Sequence, residues 1–163
     1  MEEIQNIKNR NLICLDFDDA IIEYSRKENG NWIMNTEKEI TKILKRNVEN
    51  IKSFCEEFNY EVFIISSWSP LINEDLTANY LDDIQAEWWN IIKTLPIIGK
   101  DPFRDRELAM EVLLDNGNKI ICIDDWDLSS HFEWAGDKFI MINVINGLGW
   151  HRFENLKTKL RKE

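Results

Sequence analysis

Proline and glycine are scarce in these 163 residues, at three and six, so neither a collagen-like repeat nor a Pro/Gly-rich linker chain is compatible with the sequence. Cysteine is equally sparse. Cys14, Cys55 and Cys122 are odd in number and lack C-x-x-C spacing, which argues against a disulfide framework or a zinc site; two of them lie inside strand-like apolar runs, as reduced buried thiols do. No apolar run exceeds strand length, so no membrane span is expected. The acidic start Met1-Glu2-Glu3 lacks the basic and apolar regions of a signal peptide, and the expected compartment is the cytoplasm. Positive charge is the minority sign, 20 Lys and Arg against 30 Asp and Glu. The net charge of −10 counts against tight binding to long nucleic acid, which relies on basic residues displacing counterions, and leaves small ligands as the expected partners. The two histidines, His131 and His151, are isolated and read as surface residues rather than catalysts.

Against that background, four strand-like apolar runs each end on a reactive residue. Asn11-Leu12-Ile13-Cys14-Leu15 runs into Asp16-Phe17-Asp18-Asp19, and Val62-Phe63-Ile64-Ile65 into Ser66-Ser67. Leu95-Pro96-Ile97-Ile98-Gly99 runs into Lys100, and Ile120-Ile121-Cys122-Ile123 into Asp124-Asp125. In an open parallel α/β sheet the carboxyl ends of the strands line one crevice, so these distant residues can converge on one ligand.

The residue types suit phosphoryl chemistry. Asp16 is placed as a carboxylate nucleophile, and Asp18, two residues on, as the acid that protonates the leaving oxygen and later the base for water. Clustered carboxylates facing a phosphate call for a cation, and Mg²⁺ favours carboxylates, water and phosphate oxygens. Asp16, Asp18, Asp124 and Asp125 are the candidate metal residues, with the choice between Asp124 and Asp125 as direct ligand left open because either could instead be a helix N-cap. Ser66 offers a hydroxyl to a phosphoryl oxygen and Lys100 a point charge. Positive charge near the site can also be built from Arg104 and Arg106.

In their order and setting these motifs resemble those of the haloacid dehalogenase superfamily of phosphohydrolases: Asp-x-Asp after the first strand, Ser or Thr after the second, a Lys by a helix, and a late acidic pair. The resemblance covers roughly residues 11 to 145. Ile64-Ile65-Ser66-Ser67-Trp68, Ile98-Gly99-Lys100-Asp101-Pro102 and Ile123-Asp124-Asp125-Trp126 are similar to the compact capless branch found in phage and bacterial proteins and in RNA-repair fusions. The chain departs from the usual pattern at Asp19, where Gly is common, at Ala20, where Thr or Val is common, and at Ser69, where the compact branch often has Arg. The resemblance implies a Rossmann-like α/β fold with a five-stranded, mainly parallel sheet, helices on both faces and no large cap. It also implies an Mg²⁺-dependent phosphomonoesterase working through an aspartyl-phosphate.

The whole chain, 1–163, reads as one domain. A polar, turn-rich flap is expected at about 24–35. A long helix is expected from Thr36, where Thr36-Glu37-Lys38-Glu39 has the form of a capping box and Ile40, Ile43, Leu44, Val48, Ile51, Phe54 and Phe58 make one stripe. A helical insert is expected at about 73–94, with Leu81, Ile84, Trp88, Ile91 and Ile92 at near-helical spacing. A helix over Asp101 to Asp115, ended by Asn116-Gly117, would put Lys100 at an anion-favouring N-terminus. A last strand over Lys138 to Val144, a Gly147-Leu148-Gly149 loop and a helix from His151 to Lys162 complete the expectation.

Seven tryptophans are many for this length. Trp68 and Trp126 follow two of the motifs and Trp32 lies in the flap, so these three are candidates for stacking on a nucleobase, with Ser67 and Arg104 as further substrate contacts. A nucleotide or nucleic-acid end phosphate is therefore the expected substrate. Two other functions suit the same motifs: a protein that sequesters a nucleotide signal without turning it over, and a phosphoprotein phosphatase. The Ile-, Asn- and Lys-rich composition suits an AT-rich genome such as that of a phage.

Overall fold

Strand β1, Asn11–Leu15, is buried on both faces, as a run of Leu, Ile, Cys and Leu without polar alternation requires. The structure, a computed structural model, describes residues 2–17, 19–26, 38–65, 92–94, 102–145 and 148–163. After a short helix α1, Glu2–Gln5, the described elements are β1, β2 (Ile22–Arg26), β3 (Lys38–Ile43), α2 (Lys45–Phe58), β4 (Glu61–Ile64), β5 (Ile92–Thr94), α3 (Pro102–Asp115), β6 (Lys119–Asp124), β7 (Phe139–Asn143) and α4 (Leu148–Arg161).

The fold is α/β. Strand β1 lies between β4 and β6, all parallel, with Leu15 opposite both Ile64 and Ile123, and β7 extends the parallel sheet beyond β6. The three-residue β5 pairs in parallel along the far edge of β4. Strand parity sorts the core into two layers. Ile13, Leu15, Val62, Ile64, Ile121, Ile123 and Ile142 face α2 and α4, packing on Ile51, Phe54 and Phe153. Leu12, Cys14, Phe63, Ile120, Cys122 and Met141 face the other way, onto Ile4 of α1 and Ala109, Met110 and Leu113 of α3. Helices thus cover both faces, as a parallel sheet demands.

The three thiols are free and buried, with Cys14 and Cys122 opposite one another on neighbouring strands. Burial pushes all three pKa values up, that of Cys55 to about 12.

Four expectations are corrected. The helix expected from Thr36 begins at Lys45 instead, because Lys38–Ile43 is a strand paired antiparallel with β2. Local helical spacing of Ile40 and Ile43 yields there to the antiparallel backbone ladder, in which Ile40 is opposite Tyr24 and Ile43 opposite Ile22. The expected flap is accordingly bracketed by a two-stranded ribbon, with residues 27–37 outside the described set. Ile92, expected on a helix, lies in β5, and the remainder of the helical insert, like the strand expected over 95–99, falls outside the described residues. The closing helix starts at Leu148, three residues earlier than expected, so Leu148 and Gly149 are helical rather than loop. Gly149 makes that early start possible: a Cβ there would lie 1.9 Å from the Asn143 carbonyl oxygen at the end of β7.

Two polar devices fix the ends of the layers. Helix α3 closes in a Schellman pattern, Gly117 N–H donating to Leu114 O and Asn118 N–H to Leu113 O, with Gly117 at φ +83°. The buried Asn118 side chain donates to Ile7 O and Leu113 O, 2.8 Å each, and accepts Arg10 N–H at 2.9 Å, tying the segment before β1 to the α3–β6 junction. At the opposite edge, Asn47 of α2 donates to Ala20 O at 2.8 Å and Leu44 N–H to Ile21 O at 2.7 Å, anchoring the loop that follows Asp16. No helix among the described residues is long and apolar enough to cross a membrane.

Candidate metal centre

Asp16 and Asp124 meet because β1 and β6 are in register. Leu15 pairs with Ile123, and the ladder runs one residue further through Asp16 N–H to Ile123 O, 2.9 Å, so both carboxylates emerge together at the carboxyl edge. By strand parity both project toward the α3 face, where Asp16 is 2% exposed and Asp124 fully buried. The half-buried Asp125 follows at the end of β6. One carboxylate oxygen from each of Asp16, Asp124 and Asp125 lies within 4.8 Å of the other two. The donor set is all oxygen, the chemistry of Mg²⁺, Mn²⁺ and Ca²⁺ sites rather than of thiolate- or imidazole-held metals.

Arg106 completes the cluster from α3. Its Nη1 donates to Asp124 Oδ2 at 2.5 Å and its Nη2 lies 3.7 Å from Asp16 Oδ1, all with the guanidinium 3% exposed. Burial works against its charge, but Asp16 and Asp124 more than offset that and its pKa is raised. When all are ionised, three carboxylates against one guanidinium leave two negative charges, which one divalent cation neutralises. Trp126 N–H donates to Asp124 Oδ1 at 2.9 Å, closing the turn after β6. Burial pushes the Asp124 carboxyl up to about 7 against the pull of Arg106, helped by its hydrogen bond with Asp125.

The remaining candidates divide into two groups. Trp126 is 49% exposed and follows the cluster directly in sequence, and Arg104 is exposed with Glu107 3.1 Å away. Asp18, Ser66, Ser67, Trp68, Lys100 and Trp32 lie outside the described residues. Asp19, at the position where Gly is common in the resembling family, has φ +62°, a left-handed conformation that Asp tolerates better than most residues.

Arg106 is expected from the sequence only as one of the positive charges near the site, with no partner assigned to it. Its signal was positional: Arg106, Met110 and Leu113 recur at helical spacing on the apolar stripe of α3, so a charge at 106 points inward and needs a buried partner. No protein-family model, curated protein or solved structure matches the chain.

Proposed function

We propose that the chain is a compact, cytoplasmic phosphohydrolase of the haloacid dehalogenase type that removes phosphate from a nucleotide or nucleic-acid end. The observation that carries this reading is the meeting of Asp16 with Asp124 and Asp125 at the carboxyl ends of adjacent parallel strands, in an all-oxygen cluster with a buried guanidinium. Asp16 and the Asp124–Asp125 pair would hold Mg²⁺, which when bound supplies charge neutralisation between the carboxylates and the phosphate.

In this reading one Asp16 oxygen bonds to phosphorus as the ester P–O bond breaks, and the leaving oxygen takes a proton from Asp18. A water oxygen then bonds to phosphorus, its proton passes to Asp18, and the acyl-phosphate bond breaks to free inorganic phosphate and restore Asp16. Ser66 and Lys100 hold the phosphoryl oxygens, and the indoles of Trp32, Trp68 and Trp126, with Ser67 and Arg104, engage the rest of the ligand. Support for the stacking role is the half-exposure of Trp126, whose backbone is tied to Asp124.

The test is phosphate release from mononucleotides, cyclic nucleotides, 3′- and 5′-phosphorylated oligonucleotides and phosphopeptides, with and without Mg²⁺. Metal-dependent release from a nucleotide class, lost in Asp16→Asn, is the expected result. Recovery of an intact, tightly held nucleotide without release would replace the reading with sequestration, and a preference for phosphopeptides would replace it with a protein phosphatase.

A further inference from the structure

Each Asp124 oxygen already has a partner inside the protein, Oδ1 the Trp126 N–H at 2.9 Å and Oδ2 the Arg106 Nη1 at 2.5 Å. Asp124 and Arg106 are both buried on the α3 face of the sheet. A cation bound to Oδ2 would therefore stand close to a guanidinium in a region with little water to screen them, closer than one bound to Asp16, whose Oδ1 lies 3.7 Å from Arg106 Nη2. Asp125 shares a hydrogen bond with Asp124 but is more open. It is half-buried, so a hydrated ion can reach it, and its carboxylate oxygen lies within 4.8 Å of that of Asp16.

We propose that Arg106 is a positioning residue that withholds Asp124 from the cation, leaving Asp16 and Asp125 as direct ligands and Asp124 as the anchor joining α3 to the end of β6. This rests on the metal centre of the reading above, and it resolves the acidic pair into one ligand and one strut. Hydrogen-bonded residues behind a ligand are common orienting devices in metal sites; here the device is an ion pair between two secondary-structure elements.

The test is titration of the full chain with Mn²⁺, free ion being read by electron paramagnetic resonance, beside thermal unfolding of each metal-free variant. Asp125→Asn should weaken Mn²⁺ binding by about tenfold or more, and Asp124→Asn should weaken it less. Arg106→Met should do what a merely structural residue would not: tighten Mn²⁺ binding by about tenfold, because a like charge is gone and Asp124 is released to ligate. That gain should vanish in the double variant Arg106→Met/Asp124→Asn, and Arg106→Lys should stay near the parent affinity.

Unchanged or weaker binding in a folded Arg106→Met protein would overturn the inference, as would a loss in Asp124→Asn equal to or greater than that in Asp125→Asn. If Arg106→Met does not fold, the comparison of the two Asp variants decides alone. A parent protein that binds no Mn²⁺ overturns the inference outright. Binding with the expected ranking but no phosphate release would leave it standing and remove the hydrolase reading.

Discussion

Asp124 should make the metal-free protein less stable as pH rises through the weakly acidic range. Its carboxyl is held at about 7 in the fold and returns to about 3.8 when the chain unfolds. Between those values the folded state binds the proton and the unfolded state does not, so stability falls with increasing pH; the contribution is fully present below about pH 4 and gone above about pH 7. Roughly three pH units at about 1.4 kcal/mol each give about 4 kcal/mol as the upper end of the effect. With a urea m-value of about 2 kcal/mol/M, that is a midpoint lower by about 2 M at pH 7.5 than at pH 4.5. The assay is urea unfolding across that range in chelator, with Asp124→Asn beside the parent. Surface repulsion from the net charge of −10 also grows with pH but is common to both proteins, so the difference between them isolates Asp124. A parent midpoint that holds level or rises from pH 4.5 to 7.5, or an Asn variant that falls just as steeply, would refute the reasoning.

Two further predictions concern the scaffold that presents the site. Asn118→Ala should lower stability by about 2–4 kcal/mol, read from urea midpoints, because it strands the Arg10 N–H and deprives the Ile7 and Leu113 carbonyls of a donor at a fully buried position. Gly149→Ala should cost about 1–3 kcal/mol in the same assay, since its Cβ would meet the backbone of Asn143 and push α4 off the end of β7.

The sheet was legible because its strands are written as unbroken apolar runs. Leu12 to Leu15, Val62 to Ile65 and Ile120 to Ile123 have no polar interruption, and burial on both faces is the condition under which such runs form. Segment 38–43 was not legible for the opposite reason: Lys-Glu-Ile-Thr-Lys-Ile suits a helix or a ribbon, and only its pairing with Ile22–Arg26, distant in sequence, decides. Within the site, Asp16 and Asp124 could be brought together on paper because each follows a strand at the same offset. Arg106 could not be paired with them, since which turn of α3 lies over the strand ends depends on packing that no local pattern encodes.

The pair of thiols in the central strands gives the molecule a native reporter of its own breathing. Cys14 and Cys122 are sealed from solvent beneath α1 and α3 and lie two residues before Asp16 and Asp124, so alkylating reagents can reach them only when that side of the sheet opens. The rate at which they acquire label under native conditions therefore clocks the lifting of α3, which carries Arg106, from the strand ends that carry the carboxylates. A cation that bridges those ends should slow the clock, while Cys55 on α2 keeps separate time for the opposite face of the sheet.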